Sequence, residues 1–372
     1  MRFTDKINEY DWNEISQCIA LKNSEDVERA LRKDKIEMDD FLALLSPAAA
    51  PYLEQMARKS RLYTQQRFGK TIQMYIPLYL TNACTNHCVY CGFNHDNPIK
   101  RIILTEEEIE REAQAIKQLG DFHHVLLVTG ESPRHAGVDY LKKAIRIMKK
   151  YFSNISIEVQ PLETDEYREL IEEGLYSVYV YQETYHKERY GIYHPAGKKR
   201  DFNFRLDTFD RLGEAGIHKM GLGVLIGLEE WRTDAAFMAY HLRYLQKKYW
   251  RTRYSVSFPR MRPHEGEGFK PNVVMSDKEL AQAVFAFRLF DKDIEIALST
   301  REAPQMRDNM CTLGVTSMSA GSKTEPGGYA TYPQALEQWV MADNRTPDEV
   351  EKAIQQKGYE AVWKDWDPVM NR

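Results

Sequence analysis

The sequence CTNHCVYCG at residues 84–92 places three of the chain's five cysteines within eight positions. Cys84, Cys88 and Cys91 have C-x3-C-x2-C spacing, and they follow an apolar run at residues 74–80 that predicts a β-strand. Thiolates this close together on a loop can bind one metal centre from one side. Three ligands also leave a place at that centre for a further group.

Two kinds of metal centre fit three neighbouring cysteines. A structural zinc ion normally has four protein ligands in two separated pairs, and here only His87 or His95 could serve as an improvised fourth ligand. A [4Fe–4S] cluster has four irons, so three thiolates would leave one iron open. Thiolate-only ligation favours the cluster. The alternative is a zinc-binding interaction protein, which would not be an enzyme.

The composition is that of an ordinary globular chain. Apolar residues make up 43% and charged residues 28%, and the net charge of −4 gives no attraction for nucleic acid. No apolar stretch approaches the ~20 residues that span a bilayer, and the N-terminal residues MRFTDK lack a signal-like apolar segment. Free, clustered cysteines fit a reducing compartment. We therefore expect a soluble, cytoplasmic protein with no nucleic-acid or membrane partner.

The pattern of apolar residues divides the chain into three parts. Residues 1–70 have apolar residues at helix-like intervals, which predicts an N-terminal helical extension. Residues 71–330 alternate short apolar runs with amphipathic segments, and eight such runs predict an α/β fold, a (β/α)8 TIM-type barrel. A capping box at residues 346–349 predicts a helical C-terminal segment over residues 331–372. The predicted strands are residues 74–80, 125–128, 155–159, 177–181, 220–226, 254–258, 294–298 and 313–316.

Polar residues of unusual kinds follow six of the eight predicted strands. In βα barrels the reactive groups lie at the carboxyl ends of the strands and in the loops after them. We therefore expect the site at the mouth of the barrel. Besides the cysteine loop, the polar strand ends are TGES at 129–132, EVQP at 158–161, YQET at 181–184, RMRP at 260–263 and STRE at 299–302.

The cysteine spacing, with an aromatic residue before the last cysteine, resembles the radical S-adenosylmethionine (SAM) superfamily. In that superfamily SAM occupies the open iron of a [4Fe–4S] cluster. The resemblance implies that Cys84, Cys88 and Cys91 hold the cluster and that Tyr90 lies near the adenine of SAM.

Further residues match superfamily positions that bind SAM. Glu131, in a TGE sequence where the superfamily has Gly-Gly-Glu, would accept hydrogen bonds from the amino group of SAM. The run GVLIGLEE at residues 223–230 resembles the adenine-pocket pattern, which implicates Gly223 and Leu225. Arg205 could pair with the SAM carboxylate, because guanidinium binds carboxylates through two parallel hydrogen bonds.

The resemblance is more specific than the superfamily. Five further segments are similar to the 2-iminoacetate synthases, the anaerobic tyrosine lyases of thiamine biosynthesis. The similarity covers roughly residues 70–370, and it is the combination of segments that is specific. The segments are VQPL at 159–162, VYQETY at 180–185, FPRMRP at 258–263, LSTRE at 298–302 and SAGSKTEPGGY at 319–329.

This resemblance implies a reaction and its partners. One electron from flavodoxin or ferredoxin enters the cluster, and SAM is cleaved to methionine and a 5′-deoxyadenosyl radical. The radical takes hydrogen from the amino group of L-tyrosine, and the Cα–Cβ bond breaks. The products are 2-iminoacetate (dehydroglycine) and, after further reduction and protonation, 4-cresol. Thiazole synthase would receive the 2-iminoacetate.

The sequence also contains candidate residues for binding the substrate. Arg301, at the end of the seventh predicted strand, is a natural anchor for the tyrosine carboxylate. Ser319 or Ser322 would bond the amino group. Glu158 and Gln160 could bond the ribose hydroxyls of SAM or the substrate. A structural pair of Arg301 with Glu302 or Asp308, and salt-bridge or capping roles for the others, are the alternatives.

Two related enzymes remain as alternatives. The hydrogenase-maturation tyrosine lyase shares the first reaction but carries an additional C-terminal cluster, and residues 314–372 contain no cysteine. A biotin-synthase-like enzyme would need ligands for an auxiliary cluster within the barrel, where only Cys311 is available. We therefore favour the thiamine-pathway enzyme.

Overall fold

Eight parallel strands close into a barrel, as the sequence predicts. The computed structural model describes residues 2–263 and 269–365. Each strand pairs in parallel with the next one along the chain, and pairing of β1 with both β8 and β2 closes the barrel. The strands are β1 (Thr71–Thr81), β2 (His124–Thr129), β3 (Asn154–Glu158), β4 (Leu175–Glu183), β5 (Lys219–Val224), β6 (Arg253–Ser257), β7 (Glu295–Leu298) and β8 (Ser317–Ser319).

Helices precede, connect and follow the strands. Capping boxes at Thr105 and Ser276 begin α6 and α13, and the predicted capping box at Thr346 begins α15 in the same way. Short 3-10 helices lie at Pro47–Tyr52 and Lys198–Arg200. The α-helices are α1 (Phe3–Ile7), α2 (Trp12–Ala20), α3 (Ser24–Arg32), α4 (Met38–Leu45), α5 (Leu53–Phe68), α6 (Glu106–Leu119), α7 (Val138–Met148), α8 (Thr164–Glu173), α9 (Lys187–Tyr193), α10 (Phe202–Leu206), α11 (Thr208–Ala215), α12 (Trp231–Lys248), α13 (Asp277–Phe290), α14 (Pro304–Met310) and α15 (Pro347–Gln356).

Strand β1 shows how the sequence divides between the barrel's two faces. Side chains alternate along a strand, so residues two apart share a face. One set is apolar and fully buried: Ile72, Met74, Ile76, Leu78 and Leu80. The other set contains Tyr75, Pro77 and Tyr79, which line a cavity inside the barrel. The outer set therefore anchors the strand to the helices, while the inner set is available to a ligand.

The eighth strand was predicted wrongly at residues 313–316, because the apolar residues there do not belong to it. Leu313 closes a turn after α14 by donating its backbone N–H to the carbonyl of Met310. The strand begins at Ser317 and has the sequence SMS, in which Ser317 pairs with Ala297 and Met318 with Leu298. A three-residue strand with two serines has no apolar run that would reveal it.

The C-terminal segment adds a strand to the predicted helix. After α15, β9 (Glu360–Val362) pairs in parallel with the start of β1. The capping box at Thr346, with Pro347 in the first turn, begins α15 as predicted. The chain beyond the barrel is therefore attached to the barrel's own sheet.

The N-terminal helices pack on the outside of the barrel. Phe41 of α4 contacts Phe287 and Phe290 of α13, with ring centroids 4.9 and 4.6 Å away.

At the amino ends of the strands, Lys219 pairs with Glu295, which also accepts from Arg253 at 2.8 Å. In the described ranges no helix combines the length and apolar character needed to cross a membrane.

Candidate active site

The cysteine loop is held between the residues after β2 and the segment that follows α9. A Cβ on Gly130 would lie 2.3 Å from the carbonyl oxygen of Ala83, so only glycine admits this approach. Thr85 donates from its backbone and its hydroxyl to the Glu131 carbonyl, at 3.1 and 3.0 Å. On the other side the His87 backbone donates to Ala196 at 3.2 Å.

Arg101 holds the two ends of the same loop together through hydrogen bonds. Its side chain is half-buried, and the hydrogen bonds that it donates to described residues all go to backbone carbonyls. Because these carbonyls flank the cysteines on both sides, one side chain ties together the two ends of the loop. The acceptors are Asn82, Phe93, Asn94, His95 and Asn97, at 2.9, 2.9, 2.6, 3.2 and 3.2 Å.

All three cysteines line one cavity at the barrel mouth, which we call the outer cavity. Burial raises the pKa of the Cys84 thiol to about 11 and also raises the pKa of Cys88 and Cys91. The thiols are therefore neutral near physiological pH unless a cationic centre binds them. Within the described ranges, no group of three or more His, Cys, Asp or Glu side chains is arranged to hold a single metal ion. The predicted residues on this wall are Cys84, Cys88, Tyr90, Cys91, Glu131, Glu158, Arg205, Leu225 and Arg301.

Two carboxylates and two cations meet on the wall of the outer cavity. Glu131 accepts from Arg205 and from Asn86, both at 2.8 Å, and Glu183 accepts from Lys199 at 2.7 Å. Burial opposes ionisation of Glu131, but Arg205 and Lys199 outweigh it and lower the pKa of that carboxyl. Burial and Arg205 also disfavour the charge on Lys199, yet Glu183 and other anionic groups raise its pKa. Glu131, Lys199 and Arg205 are therefore charged at neutral pH.

The apolar part of the outer cavity lies beside Cys88. Tyr90 and Leu225 are buried there with Trp339. The Tyr90 hydroxyl is 2.7 Å from Nε2 of His194, and Nδ1 of that histidine lies 2.9 Å from the carbonyl of Tyr190. Because a carbonyl can only accept, Nδ1 carries the proton and Nε2 accepts from Tyr90. The tyrosine ring is thus held at one angle to the cavity.

A second cavity, the inner cavity, extends from the outer one into the barrel. The two share Glu158, Tyr181, Arg301 and Trp339 as wall residues. The inner cavity is also lined by Ser319 and Ser322, the two predicted serines, and by the inward-facing tyrosines of β1. Burial raises the pKa of Glu158 to about 7, although the cation of Arg301 opposes that shift.

Arg301 has no carboxylate partner among the residues that the structure describes. Glu302 instead pairs with Arg260 and Arg262, and Asp308 pairs with Arg345 at 2.9 Å. Nη1 of Arg301 is buried without a hydrogen-bond partner in the described ranges. Its guanidinium lies 4.3 Å from the ring centroid of Trp339.

The two predicted serines have different surroundings. Ser319 accepts from the backbone N–H of Thr300 at 3.2 Å, so its hydroxyl already has a structural bond. The hydroxyl oxygen of Ser322 is buried and has no partner among the described atoms. A charged donor and a hydroxyl without partners therefore face one cavity.

Two predicted residues do not line either cavity. Gln160 donates its amide to the carbonyl of Ala136 at 2.6 Å and lines a neighbouring cleft. Gly223 lies opposite Tyr181 in the strand pairing, and a Cβ on it would lie 2.4 Å from the Tyr181 ring. The glycine therefore makes room for a tyrosine ring, which itself lines both cavities.

Three wall residues were not predicted, Lys199, Gln338 and Trp339, and a fourth, Glu183, was predicted only as part of the YQET strand end, with no role of its own. Glu183 is the one non-glycine residue in the described ranges with positive φ, at 71°. That backbone is uncommon and concentrates at functional sites. The sequence gives no sign of it, although Glu183 stands in the YQET strand end.

Comparison with known proteins now identifies the family. The model of the "Radical SAM superfamily" matches residues 78–237, and that of the "Biotin and Thiamin Synthesis associated domain" matches residues 257–360. The chain is 49% identical to the 2-iminoacetate synthase of Escherichia coli strain K12, over 100% of this chain and 98% of that protein. The chain belongs to the 2-iminoacetate synthase family.

Solved structures agree with this membership of the 2-iminoacetate synthase family. The [FeFe]-hydrogenase maturase HydG superposes with a TM-score of 0.88 at 29% identity, over 97% of this chain and 80% of that one. The HydG of Carboxydothermus hydrogenoformans gives a TM-score of 0.84 at 30% identity, over 96% and 81%. As a radical SAM enzyme, the chain uses a [4Fe–4S] cluster and SAM.

The outer cavity fits both cofactors of a 2-iminoacetate synthase. Three thiols on one loop share a wall of the cavity, which suits a cluster with one open iron. The paired carboxylates and cations offer acceptors and donors for the amino and carboxylate groups of SAM. The buried aromatic and aliphatic side chains next to them suit a nucleobase.

Proposed function

We propose that the chain cleaves the Cα–Cβ bond of L-tyrosine into 2-iminoacetate and 4-cresol. The name of its 49%-identical relative supports this reaction, as does the pair of connected cavities. We assign the cluster to Cys84, Cys88 and Cys91, and SAM to the remainder of the outer cavity. L-Tyrosine belongs in the inner cavity.

When bound, the reduced cluster and SAM supply a 5′-deoxyadenosyl radical that removes a hydrogen atom from the amino group of the substrate. The protein's part is to position the reactants and exclude water from them. Glu131 accepts from the SAM amino group, and Lys199 and Arg205 provide cations for its carboxylate. Tyr90 and Leu225 enclose the adenine.

The observation that carries the substrate assignment is the pair of unpartnered atoms on the inner cavity. A buried guanidinium N–H and a buried hydroxyl without partners are costly, and a ligand that pairs them recovers that cost. An α-amino acid matches both groups. Arg301 donates to its carboxylate, and Ser322 accepts from its amino group. Trp339 covers the guanidinium and keeps water from this end of the substrate.

Glu158 lies between the cofactor region and the substrate region. It lines both cavities, and its pKa of about 7 leaves it partly protonated at neutral pH. In that state it donates to a ribose or substrate oxygen, and after losing the proton it accepts from the substrate ammonium. This assignment keeps Glu158 as a binding residue, whereas Gln160 bonds the backbone of Ala136 and Gly223 makes room for the Tyr181 ring.

An acidic electron carrier of the flavodoxin or ferredoxin type fits the outside of the cysteine loop. Gly197 packs against the loop so closely that a Cβ would lie 2.3 Å from Oδ1 of Asn86. The next residues include Lys198 and Arg200, which are exposed, and Arg134 is exposed beside Glu131. These cations lie close to the cluster ligands and suit an anionic partner. Thiazole synthase as the recipient of 2-iminoacetate, and a cytoplasmic location, complete the proposal.

Anaerobic reconstitution tests the function. We expect about four iron and four sulfide per chain, and formation of 5′-deoxyadenosine and 4-cresol that depends on tyrosine, SAM and a reductant. A biotin-synthase-like enzyme would cleave SAM without forming 4-cresol. A hydrogenase-maturation enzyme would go on to release cyanide and carbon monoxide. Bound zinc without SAM cleavage would contradict the assignment altogether.

A further inference from the structure

A C-terminal segment covers the cysteine loop. Residues 337–343, which we call the strap, are attached to the barrel mouth through backbone bonds, with Gln338 donating to Thr324 at 3.2 Å and Ala342 to Thr300 at 3.1 Å. A Cβ on Gly92 would lie 2.9 Å from the carbonyl oxygen of Gln338. The strap therefore rests directly on the residue after Cys91.

The side chain of Gln338 connects a cluster ligand with the substrate cavity. Its Nε2 lies 3.4 Å from Sγ of Cys91, and its Oε1 lies 2.8 Å from the hydroxyl of Tyr79. Tyr79 is buried and lines the inner cavity, whereas Gln338 lines the outer one. One hydrogen-bonded chain thus runs from the wall of one cavity to the metal ligand of the other.

The chemistry of the three groups fixes the direction of these bonds. A thiolate that binds iron has no proton to give, so only the amide N–H can make the bond between Gln338 and Cys91. The carbonyl end of the amide must then face Tyr79, whose hydroxyl donates to it. Burial raises the pKa of Tyr79 well above its usual range, so the donor keeps its proton. The amide has only this orientation if both bonds are to form.

A hydrogen bond to a ligating sulfur stabilises the state of the cluster with more negative charge, which is the reduced state. We propose that Gln338 raises the reduction potential of the cluster by donating to Cys91, and that Tyr79 is the positioning residue that holds its amide. The inference rests on the proposed cluster site, and it adds the strap to the residues that control electron entry. Gln338 touches no substrate in this account.

Redox titration of the reconstituted enzyme, followed by electron paramagnetic resonance of the reduced cluster, tests this inference. Gln338→Leu keeps the bulk and removes the donor. We expect the ratio of reduced to oxidised cluster at a fixed potential to fall by roughly fivefold to tenfold, the net effect of one ordinary hydrogen bond. Tyr79→Phe should shift the ratio in the same direction by a smaller factor. Gln334→Leu, an exposed glutamine just before the strap, is the matched control and should leave it unchanged.

Iron content of each variant accompanies the titration. A Gln338→Leu enzyme with full iron content and the wild-type midpoint would overturn the inference while leaving the proposed function intact. If the Gln338→Leu variant loses iron, Tyr79→Phe becomes the deciding variant, because it leaves Gln338 in the strap. A lowered midpoint potential of the cluster in Tyr79→Phe supports the inference, and a wild-type midpoint potential overturns it. A wild-type protein that assembles no cluster would instead refute the proposed function, and the inference with it.

Discussion

The outer and inner cavities share a wall but differ in how their polar groups are paired. In the outer cavity the charged side chains bind one another, with Glu131 held by Arg205 and Glu183 by Lys199. In the inner cavity Arg301 and Ser322 each present a buried atom without a partner in the described ranges. The charged side chains that line the outer cavity alone are therefore paired before any ligand binds, whereas Arg301, on the shared wall, and Ser322 each keep an unpaired atom in the described ranges.

The difference indicates which cavity sets the affinity for the cofactors and which sets the affinity for the substrate. A paired network holds its geometry in the empty protein, which suits cofactors that must meet a cluster at a fixed position. Unpaired buried groups favour whichever ligand completes them and reject analogues that do not. Substitutions in the outer cavity should therefore abolish SAM cleavage. Substitutions in the inner cavity should instead weaken the binding and turnover of tyrosine.

The largest effect is expected at the cluster. Cys88→Ala should leave no measurable SAM cleavage, because two thiolates cannot retain a [4Fe–4S] cluster that needs three. Cys18→Ala, a substitution of an exposed cysteine in α2, is the control and should retain full iron. Iron analysis and 5′-deoxyadenosine formation measure the outcome. Wild-type cleavage by the Cys88 variant would place the cluster elsewhere.

Arg301→Ala should lower kcat/KM for tyrosine by about a hundredfold, because a carboxylate loses a charged hydrogen-bond donor in a buried site. The cluster and its absorption spectrum should not change. Arg58→Ala, at an exposed arginine of α5, provides the matched control. Normal tyrosine kinetics in the Arg301 variant would remove this residue from the substrate site.

Replacing the two serines separates an unpaired hydroxyl from a paired one. Ser322→Ala should raise KM for tyrosine by about tenfold, since the ligand loses its acceptor. Ser319→Ala should change KM little and destabilise the fold slightly, because its hydroxyl serves the Thr300 backbone. Steady-state kinetics and thermal unfolding distinguish the two. A larger KM effect at Ser319 than at Ser322 would reverse the assignment.

The last prediction concerns Glu158 and the pH dependence of stability, and it should have the smallest effect on activity. Burial raises its folded-state pKa to about 7 from an ordinary value of 4.5. The folded protein therefore binds this proton more tightly than the unfolded chain, and wild type loses stability as pH rises from about 4.5 to 7. Glu158→Gln removes this loss, so the variant should gain roughly 2–3 kcal/mol relative to wild type between the ends of that window. Denaturant unfolding of both cofactor-free proteins at several pH values measures this gain. If the free energies of unfolding of the two proteins changed with pH in parallel, the raised pKa of Glu158 would be contradicted.

Local features of the sequence were predictable because their physics is local. The cysteine spacing lies within one loop, the capping boxes span four residues each, and seven of the strands coincide with apolar runs. The strand at Ser317 escaped prediction because its inward positions are serines. Of its two serines, Ser319 lines the inner cavity.

The rest of the site depends on distant parts of the chain meeting at the mouth. Gln338 reaches Cys91 from 247 positions away, and nothing near Gln338 in the sequence indicates a metal ligand. Lys199 stands beside two other cations in a 3-10 helix, and only its contact with Glu183 distinguishes it. Gly223 illustrates the converse, because the motif predicts ligand contact there, and the fold shows that a glycine at this position also leaves space for the ring of Tyr181.

The central claim is that the inner cavity recognises an amino acid through Arg301, beside cofactors held in the outer cavity. The most direct measurement is calorimetric binding of L-tyrosine and of tyramine, which lacks the carboxylate, to cluster-loaded enzyme with SAM and without reductant. We predict that wild type binds tyrosine at least about tenfold more tightly than tyramine. We also predict that Arg301→Ala binds the two compounds equally. Undiminished preference for tyrosine in that variant would contradict the account.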